Sequence, residues 1–226
     1  MLDILYRDEH LIAINKPHGL LVHRSAIAAD AEEYALQLLR DQIGVKVNPV
    51  HRIDRKTAGV LLFAFTKEVE VAMQRQFMEN EVGKKYLAVV RGYTPDAGEI
   101  DYPLKKENGT LQDAFTAYTT LQRAELSVPF GQHQTSRYSL VEVVPQTGRM
   151  HQIRKHMSHI FHPIIGDRTH GCNKQNKLFT EKWEMSTMLL HASRLVFKHP
   201  VTHQSIIIEA PLQDEFKRVM QLMNWK

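Results

Sequence analysis

Cysteine is almost missing from this chain. Cys172 is the only one in 226 residues, which excludes a disulfide framework and a zinc site assembled from cysteines. Long hydrophobic runs are missing too: no stretch approaches about 18 uninterrupted apolar residues, so no membrane span is expected. The first ten residues, from Met1 to His10, include Asp3, Asp8 and Glu9 where a secretory signal would carry a basic region and a long apolar run. A reducing cytoplasm is the setting these features predict.

Missing motifs narrow the chemistry. There is no Walker A loop, no glycine-rich dinucleotide fingerprint and no G-x-S-x-G elbow, so phosphoryl transfer, hydride transfer and serine hydrolysis all lose their usual machinery. His51-Arg52-Ile53-Asp54 has one residue too many for a kinase catalytic loop. His151, His156, His159 and His162 stand close together, yet no H-E-x-x-H pattern or carboxylate cluster completes a site, and no metal is expected.

One segment is chemically dense: His51-Arg52-Ile53-Asp54-Arg55-Lys56-Thr57-Ala58-Gly59, followed by the apolar run Val60 to Phe65. A lone carboxylate among three cations and a histidine is expected to stay ionised, which suits a nucleophile or base. The same cations suit a polyanion, since Lys and Arg gain affinity by releasing counterions from phosphates. A mixed-charge surface turn ahead of a buried strand is the plainer alternative.

Charge distribution separates the two readings better than the net charge of +4. Between Pro145 and Leu178 lie Arg149, Arg154, Lys155, Arg168, Lys174 and Lys177 against one acid, Asp167, together with His151, His156, His159, His162 and His170. Such a concentrated basic stretch is the footprint expected for binding a phosphate backbone.

At 43% hydrophobic content the chain can bury a core as one domain or two lobes. Leu11 to Ile14 reads as a strand, with turn chemistry in Asn15-Lys16-Pro17-His18-Gly19. Asp30 and Glu33 form a capping-box-like start to a helix that carries Leu36, Leu39 and Ile43 and ends at Gly44. Val60 to Phe65 predicts a strand buried on both faces, and Val69, Ala72, Met73 and Phe77 a helix. A strand is expected over Lys85 to Arg91, and only short strands and loops, not a second core, over residues 93–135. Tyr138 to Val144 is strand-like. Thr147 can cap a helix from Gly148 to Phe161 whose core face carries Met150, Ile153, Met157 and Phe161. Leu189 to Phe197 and Ser205 to Ile208 read as strands, and Asp214 to Trp225 as a closing helix. Strands and helices mixed without strict alternation predict an α+β fold.

The charged segment closely resembles the H-R-L-D-x-x-[ST]-[SA]-G motif of RluA-type pseudouridine synthases. Asn15-Lys16-Pro17-x-Gly19-x-x-x-His23, Lys85-Tyr86-x-Ala88-x-Val90-x-Gly92 and Thr147-Gly148-Arg149-x-His151-Gln152-Ile153-Arg154-x-His156 are similar to that family's other motifs, in order. So are His162-Pro163-Ile164-x-Gly166-Asp167 and Leu190-His191-Ala192. Two departures are mild: Ile53 replaces Leu, and Ala58 stands where Ser is usual.

The resemblance implies one catalytic domain over residues 1–226, with a central mixed, mostly antiparallel sheet, flanking helices and an RNA-binding cleft, and no separate N-terminal RNA-binding module. It implies isomerisation of a uridine without a cofactor by a monomer that needs no protein partner. The segments Leu126 to Pro129 and Thr135 to Tyr138 are most similar to a tRNA-acting branch, whose implied target is uridine 65 in the acceptor/T-arm region.

By resemblance, Asp54 attacks uracil C6 or the sugar C1′, Tyr86 packs against the flipped base, and Arg154 pairs with the catalytic carboxylate. Arg52 is the implied filler of the vacated stack, or otherwise a phosphate contact. Arg55, Lys56, Arg149, His151 and Lys155 are expected to bind RNA, while His23, His51 and His191 orient backbone or RNA. Three alternatives stay open: a ribosomal-RNA enzyme of the same fold, a catalytically silent RNA-binding protein, and a small-molecule nucleoside enzyme.

Overall fold

The computed structural model describes residues 1–23 and 33–226. Its first elements are β1 (Asp3–Arg7), β2 (Leu11–Lys16), α1 (Ala35–Ile43), β3 (Asn48–Pro49), β4 (Ala58–Ala64), α2 (Lys67–Met78), β5 (Gly83–Arg91) and β6 (Ala97–Asp101). There follow β7 (Leu104–Lys105), β8 (Leu111–Gln112), β9 (Phe115–Leu126), β10 (Ser136–Pro145), α3 (Gln152–His159), α4 (Asn173–Trp183), β11 (Leu190–Lys198), β12 (Ser205–Glu209) and α5 (Asp214–Leu222). The fold is α+β, as expected. The chain divides into two compact units: Met1–Lys84 with Ala192–Pro211, and Lys85–His191 with Leu212–Lys226.

In the first unit the strands run β1-β2-β4-β11, with β12 on β11 and β3 on β4. β2 and β4 are antiparallel, from Leu11 opposite Ala64 to Lys16 opposite Gly59. Successive side chains of a strand point to opposite faces, so an unbroken apolar run needs cover on both. Val60, Leu62 and Ala64 of β4 join Val69 and Met73 of α2 on one face. Leu61 and Phe63 join Ala35 and Leu39 of α1 on the other. Each large apolar side chain fully buried this way contributes roughly 1.5–3 kcal/mol. Gly44 closes α1 in a left-handed conformation (φ 67°), donating its N–H to the Arg40 carbonyl. The N-cap of α1 is Tyr34, without a side-chain cap bond. The Asp30 end of the expected capping box lies outside the described residues.

The second unit holds the strand order β5-β10-β9-β6. β5 pairs antiparallel with β10, placing Tyr86 opposite Val143. Leu87 and Val89 of β5 face a cluster with Tyr138, Phe179 of α4, and Phe216 and Val219 of α5. Tyr86, Ala88 and Val90 face a cluster with Val141, Val143, and Ile153 and Met157 of α3. One strand thus feeds two cores, by the same alternation as β4.

Four expectations fail here. Residues 93–135 contain the twelve-residue strand β9, which places Tyr118 and Ala124 in the two cores. Its inward positions include Thr116, whose hydroxyl is satisfied by Gln152 and His156, so polar residues hid the strand. α3 begins at Gln152 instead of Gly148, because His151 takes a left-handed conformation (φ 57°). Thr147 does not cap it: the Thr147 hydroxyl donates to Gln152 Oε1 and accepts the Phe115 N–H. Of the expected core face, Ile153 and Met157 are buried, but Met150 is 51% and Phe161 87% exposed. Phe161 lies past the helix end at φ 64°, which turns it off the helical face. α4 had no counterpart in the sequence reading.

Candidate active site

In the first unit Asp54 lies on the loop between β3 and β4, half-buried, with its carbonyl accepting the Thr57 N–H at 3.0 Å. The loop is fastened at several points. Gly59 enters β4 at φ 108°, where a Cβ would fall 2.2 Å from the Ala192 carbonyl oxygen, so only glycine fits. His51 Nε2 accepts the Leu62 N–H at 3.1 Å, and its ring stacks on Phe77 at 4.7 Å. Burial, reinforced by Lys84, pushes His51 down to about 3, so it stays neutral and acts as the expected backbone anchor.

The residue that the sequence reading passed over is Lys16. Its side chain is fully buried, and its ammonium donates to the carbonyls of Pro17 (2.9 Å), Leu20 (2.7 Å) and Arg55 (3.2 Å). Burial pushes Lys16 down to about 7, and the Asp54 carboxylate opposes that shift. A buried cation therefore belongs to the electrostatic surroundings of Asp54. Its signal was present: Asn15-Lys16-Pro17 is one of the motifs, and a Lys that ends an otherwise apolar strand needs a partner.

Around Asp54, Arg52 is exposed and Lys56 half-buried. Arg55 is exposed but not wholly given to solvent: its Nε donates to the Gly19 carbonyl at 2.9 Å, and the Gly19 N–H returns a bond of 2.9 Å to the Arg55 carbonyl.

The second unit carries the other expected residues. Tyr86, on β5, is half-buried against the cluster that contains Ile153 and Met157. Arg154, on α3, is only 5% exposed and makes a bidentate pair with Asp167, Nε to Oδ2 and Nη2 to Oδ1, both 2.8 Å. Asp167 is held down to about 2: burial opposes ionisation, and bonds from Arg154, His170 and Thr169 outweigh it. Asp167 was no part of the expected site, though it was the one acid in the basic stretch.

Arg149 and His151 sit in the turn before α3 and Lys155 within it. Arg149 Nε donates to the Asp113 carbonyl at 2.9 Å, and its backbone N–H donates to Gln152 Oε1 at 3.0 Å. His151 Nδ1 and His170 Nε2 lie 2.9 Å apart, so one ring nitrogen carries the shared proton. Burial lowers the His170 pKa; Arg154, His151 and Lys155 add to that and Asp167 opposes it.

A half-buried carboxylate on a pinned loop, beside a buried ammonium, is suited to nucleophilic attack. By itself, the second unit carries an aromatic ring, Tyr86, on β5 and a guanidinium, Arg154, held by Asp167. The model of a known protein family, described as RNA pseudouridylate synthase, matches residues 10–159, which include Asp54, Tyr86 and Arg154.

The chain belongs to the RNA pseudouridylate synthase family. Relatives agree along their lengths: a protein of Haemophilus ducreyi named tRNA pseudouridine synthase C is 47% identical, covering 99% of this chain and 96% of its own. One of Vibrio cholerae with the same name is 43% identical over 100% of this chain and 97% of its own. Among solved structures, human RNA pseudouridylate synthase domain containing 4 superposes with a TM-score of 0.74 at 25% identity, covering 98% of this chain and 93% of that one. For a pseudouridylate synthase of this family, the α+β architecture is therefore the expected one.

Proposed function

We propose that this protein is a tRNA pseudouridine synthase that isomerises a single uridine, at position 65 in the acceptor/T-arm region, through Asp54. The observation that carries the reaction is Asp54 itself, in its family motif, half-buried and on a loop fastened by the Lys16 clamp. What favours tRNA over ribosomal RNA is the name borne by relatives that are 43–47% identical over nearly their full length.

Asp54 attacks C6 of uracil or C1′ of the sugar, and the N1–C1′ bond breaks. The base turns, C5 bonds to C1′, the bond to Asp54 breaks and returns its carboxylate, N1 takes up a proton and the C5 proton leaves to solvent, so no cofactor is consumed. The target nucleotide must leave its stack at a cost of a few kcal/mol. Arg52, exposed beside Asp54, fills the gap, because a planar guanidinium can stack and meet phosphates together. Tyr86 lines the base pocket and Arg154 supports the Asp54 carboxylate. Arg55, Lys56, Arg149, His151 and Lys155 hold the RNA backbone. The enzyme works as a monomer, and in the cytoplasm, where the lone Cys172 stays reduced.

Tritium release from [5-³H]uridine-labelled tRNA tests the reaction. The wild-type protein should release one equivalent, and Asp54→Asn none while still binding tRNA. Release by that variant removes the nucleophile assignment. Release from ribosomal RNA alone selects the other substrate, and binding without release from either pool indicates a silent RNA-binding protein.

A further inference from the structure

We propose that an open cavity of about 830 Å³ beside the Asp54 loop is a subsite for one unstacked nucleotide of the substrate RNA, next to the target uridine, whose base carries an amino group. The inference deepens the reading of the protein as a tRNA pseudouridine synthase and rests on it.

The cavity lies within the first unit, and its size falls in the range of about 300–1,000 Å³ typical of ligand sites. Leu2, Pro17, Leu20 and Leu38 form its apolar wall. Leu2, Leu20 and Leu38 are rooted in the cluster that packs beneath α1. A Cβ at Gly19 would meet nothing within 4 Å, so the turn that carries it faces open space.

This wall is built before any ligand arrives. Gln42 reaches from α1 with both ends of its amide: Nε2 donates to the Leu2 carbonyl at 2.9 Å, and Oε1 accepts the Leu2 N–H at 2.6 Å. The Lys16 ammonium gathers the carbonyls of Pro17, Leu20 and Arg55, while Gly19 and Arg55 exchange two bonds of 2.9 Å. The turn that walls the cavity and the loop of Asp54 are thus one tied structure. A preformed site spares a ligand the cost of ordering it.

Three kinds of group line the cavity. Arg55 spends its Nε on Gly19, and neither of its Nη groups is taken by a described residue. That exposed edge can meet two phosphate oxygens at once. The Glu33 carboxylate accepts hydrogen bonds and suits the amino edge of adenine, cytosine or guanine, not the carbonyl edge of uracil. The leucines and Pro17 offer apolar contact to the faces of a base. A bare phosphate would need only the cation, and a hydrocarbon chain only the apolar wall; a nucleotide uses all three. Sequence position ties that nucleotide to the reaction. Arg55 directly follows Asp54, so a phosphate held by Arg55 belongs to a neighbour of the nucleotide that Asp54 attacks. RNA is commonly read through bases splayed out of their stack.

The test uses the whole protein and a tRNA assembled by ligation, either intact or abasic at the nucleotide 5′ or 3′ of the target uridine. Leu38→Trp fills the cavity, and Glu33→Ala removes the acceptor from an exposed position. The Kd for each RNA, tritium release and Tm are measured for both variants and the wild type. On intact tRNA, Leu38→Trp should weaken binding about 5- to 150-fold, the range for losing one base contact. Glu33→Ala should weaken it about threefold or more. On one of the two abasic RNAs both deficits should shrink to within about twofold, because the variants and the missing base remove the same interaction. Wild-type affinity of both variants for intact tRNA, or deficits of equal size on all three RNAs, would overturn the proposal. If Leu38→Trp does not fold, Glu33→Ala decides by the same comparison. Displacement of tRNA by an equal concentration of free adenosine or cytidine monophosphate makes the cavity a mononucleotide site and also overturns it. No tritium release from intact tRNA by the wild type overturns the functional reading itself, whereas release with unchanged affinities overturns the cavity alone.

Discussion

Lys16 Nζ stands 3.2 Å from the backbone carbonyl of Arg55, a bond spanning 39 residues that ties the first turn of the chain to the loop of Asp54. With the Pro17 and Leu20 carbonyls it makes three acceptors, matching the three N–H bonds of an ammonium. Lys16→Met keeps the length of the side chain and orphans those carbonyls. An unsatisfied buried polar group costs about 1–3 kcal/mol, so the variant should lose about 2 kcal/mol or more in urea unfolding. A loss under about 0.5 kcal/mol would mean that the clamp does not hold the loop.

The same residue predicts a pH dependence of stability. Unfolded Lys16 keeps its proton up to 10.5, whereas the folded one gives it up near 7. Between those values the unfolded state binds more protons, so the contribution of Lys16 to stability rises with pH across that window and is level below it. Urea midpoints of wild type and Lys16→Met should therefore diverge from neutral to alkaline pH. Asp54→Asn removes a charge that favours the ammonium and should start the rise at a lower pH. Parallel profiles for all three proteins would contradict the assignment.

Asp167 gives the opposite sign at the other end of the scale. Its carboxyl is held down from 3.8 to about 2, so the unfolded chain takes up its proton first as pH falls. The stabilisation is fully present above about pH 4 and disappears as pH drops towards 2; its size is roughly 2 kcal/mol. Asp167→Asn should be less stable at neutral pH and show a flatter acid limb. Calorimetric scans between pH 2 and 6 test this, and an acid limb as steep as the wild type's would exclude it.

Phe161 and Met157 separate the α3 of the structure from the longer helix that periodicity predicts. Met157 is fully buried and Phe161 largely exposed, at a left-handed backbone position. Met157→Ala should cost about 2–5 kcal/mol, a typical core truncation. Phe161→Asn should stay within about 0.5 kcal/mol, because Asn tolerates that conformation and no packing is lost. Comparable losses for the two would restore Phe161 to the core.

Where a residue's role depends on its neighbours in the chain, the sequence was legible. β4 could be read from Val60 to Phe65 because both of its faces are apolar, and α1 ended at Gly44 because a left-handed cap favours glycine. β9 was not legible: its buried Thr116 is satisfied by His156 and Gln152, some 40 residues away, and a threonine carries no hydrophobic signal of its own. α3 was over-extended because periodicity ignores a backbone that turns left-handed at His151 and Phe161. Lys16 and Asp167 were missed for a shared reason. Each matters through partners that folding brings into reach, the Arg55 carbonyl 39 residues away for one, and Arg154 and Asn176, 13 and 9 residues away on two different helices, for the other.

By itself the sequence determined the family and with it the reaction class, because family motifs are short runs whose chemistry is written in consecutive side chains: His51-Arg52-Ile53-Asp54 is one of them, and it marks the proposed nucleophile locally. Only the tertiary structure decided what surrounds the charged groups. Burial and hydrogen bonding fix the protonation of Lys16, His51 and Asp167, and both depend on atoms brought close by folding, at separations in the chain that no local pattern records.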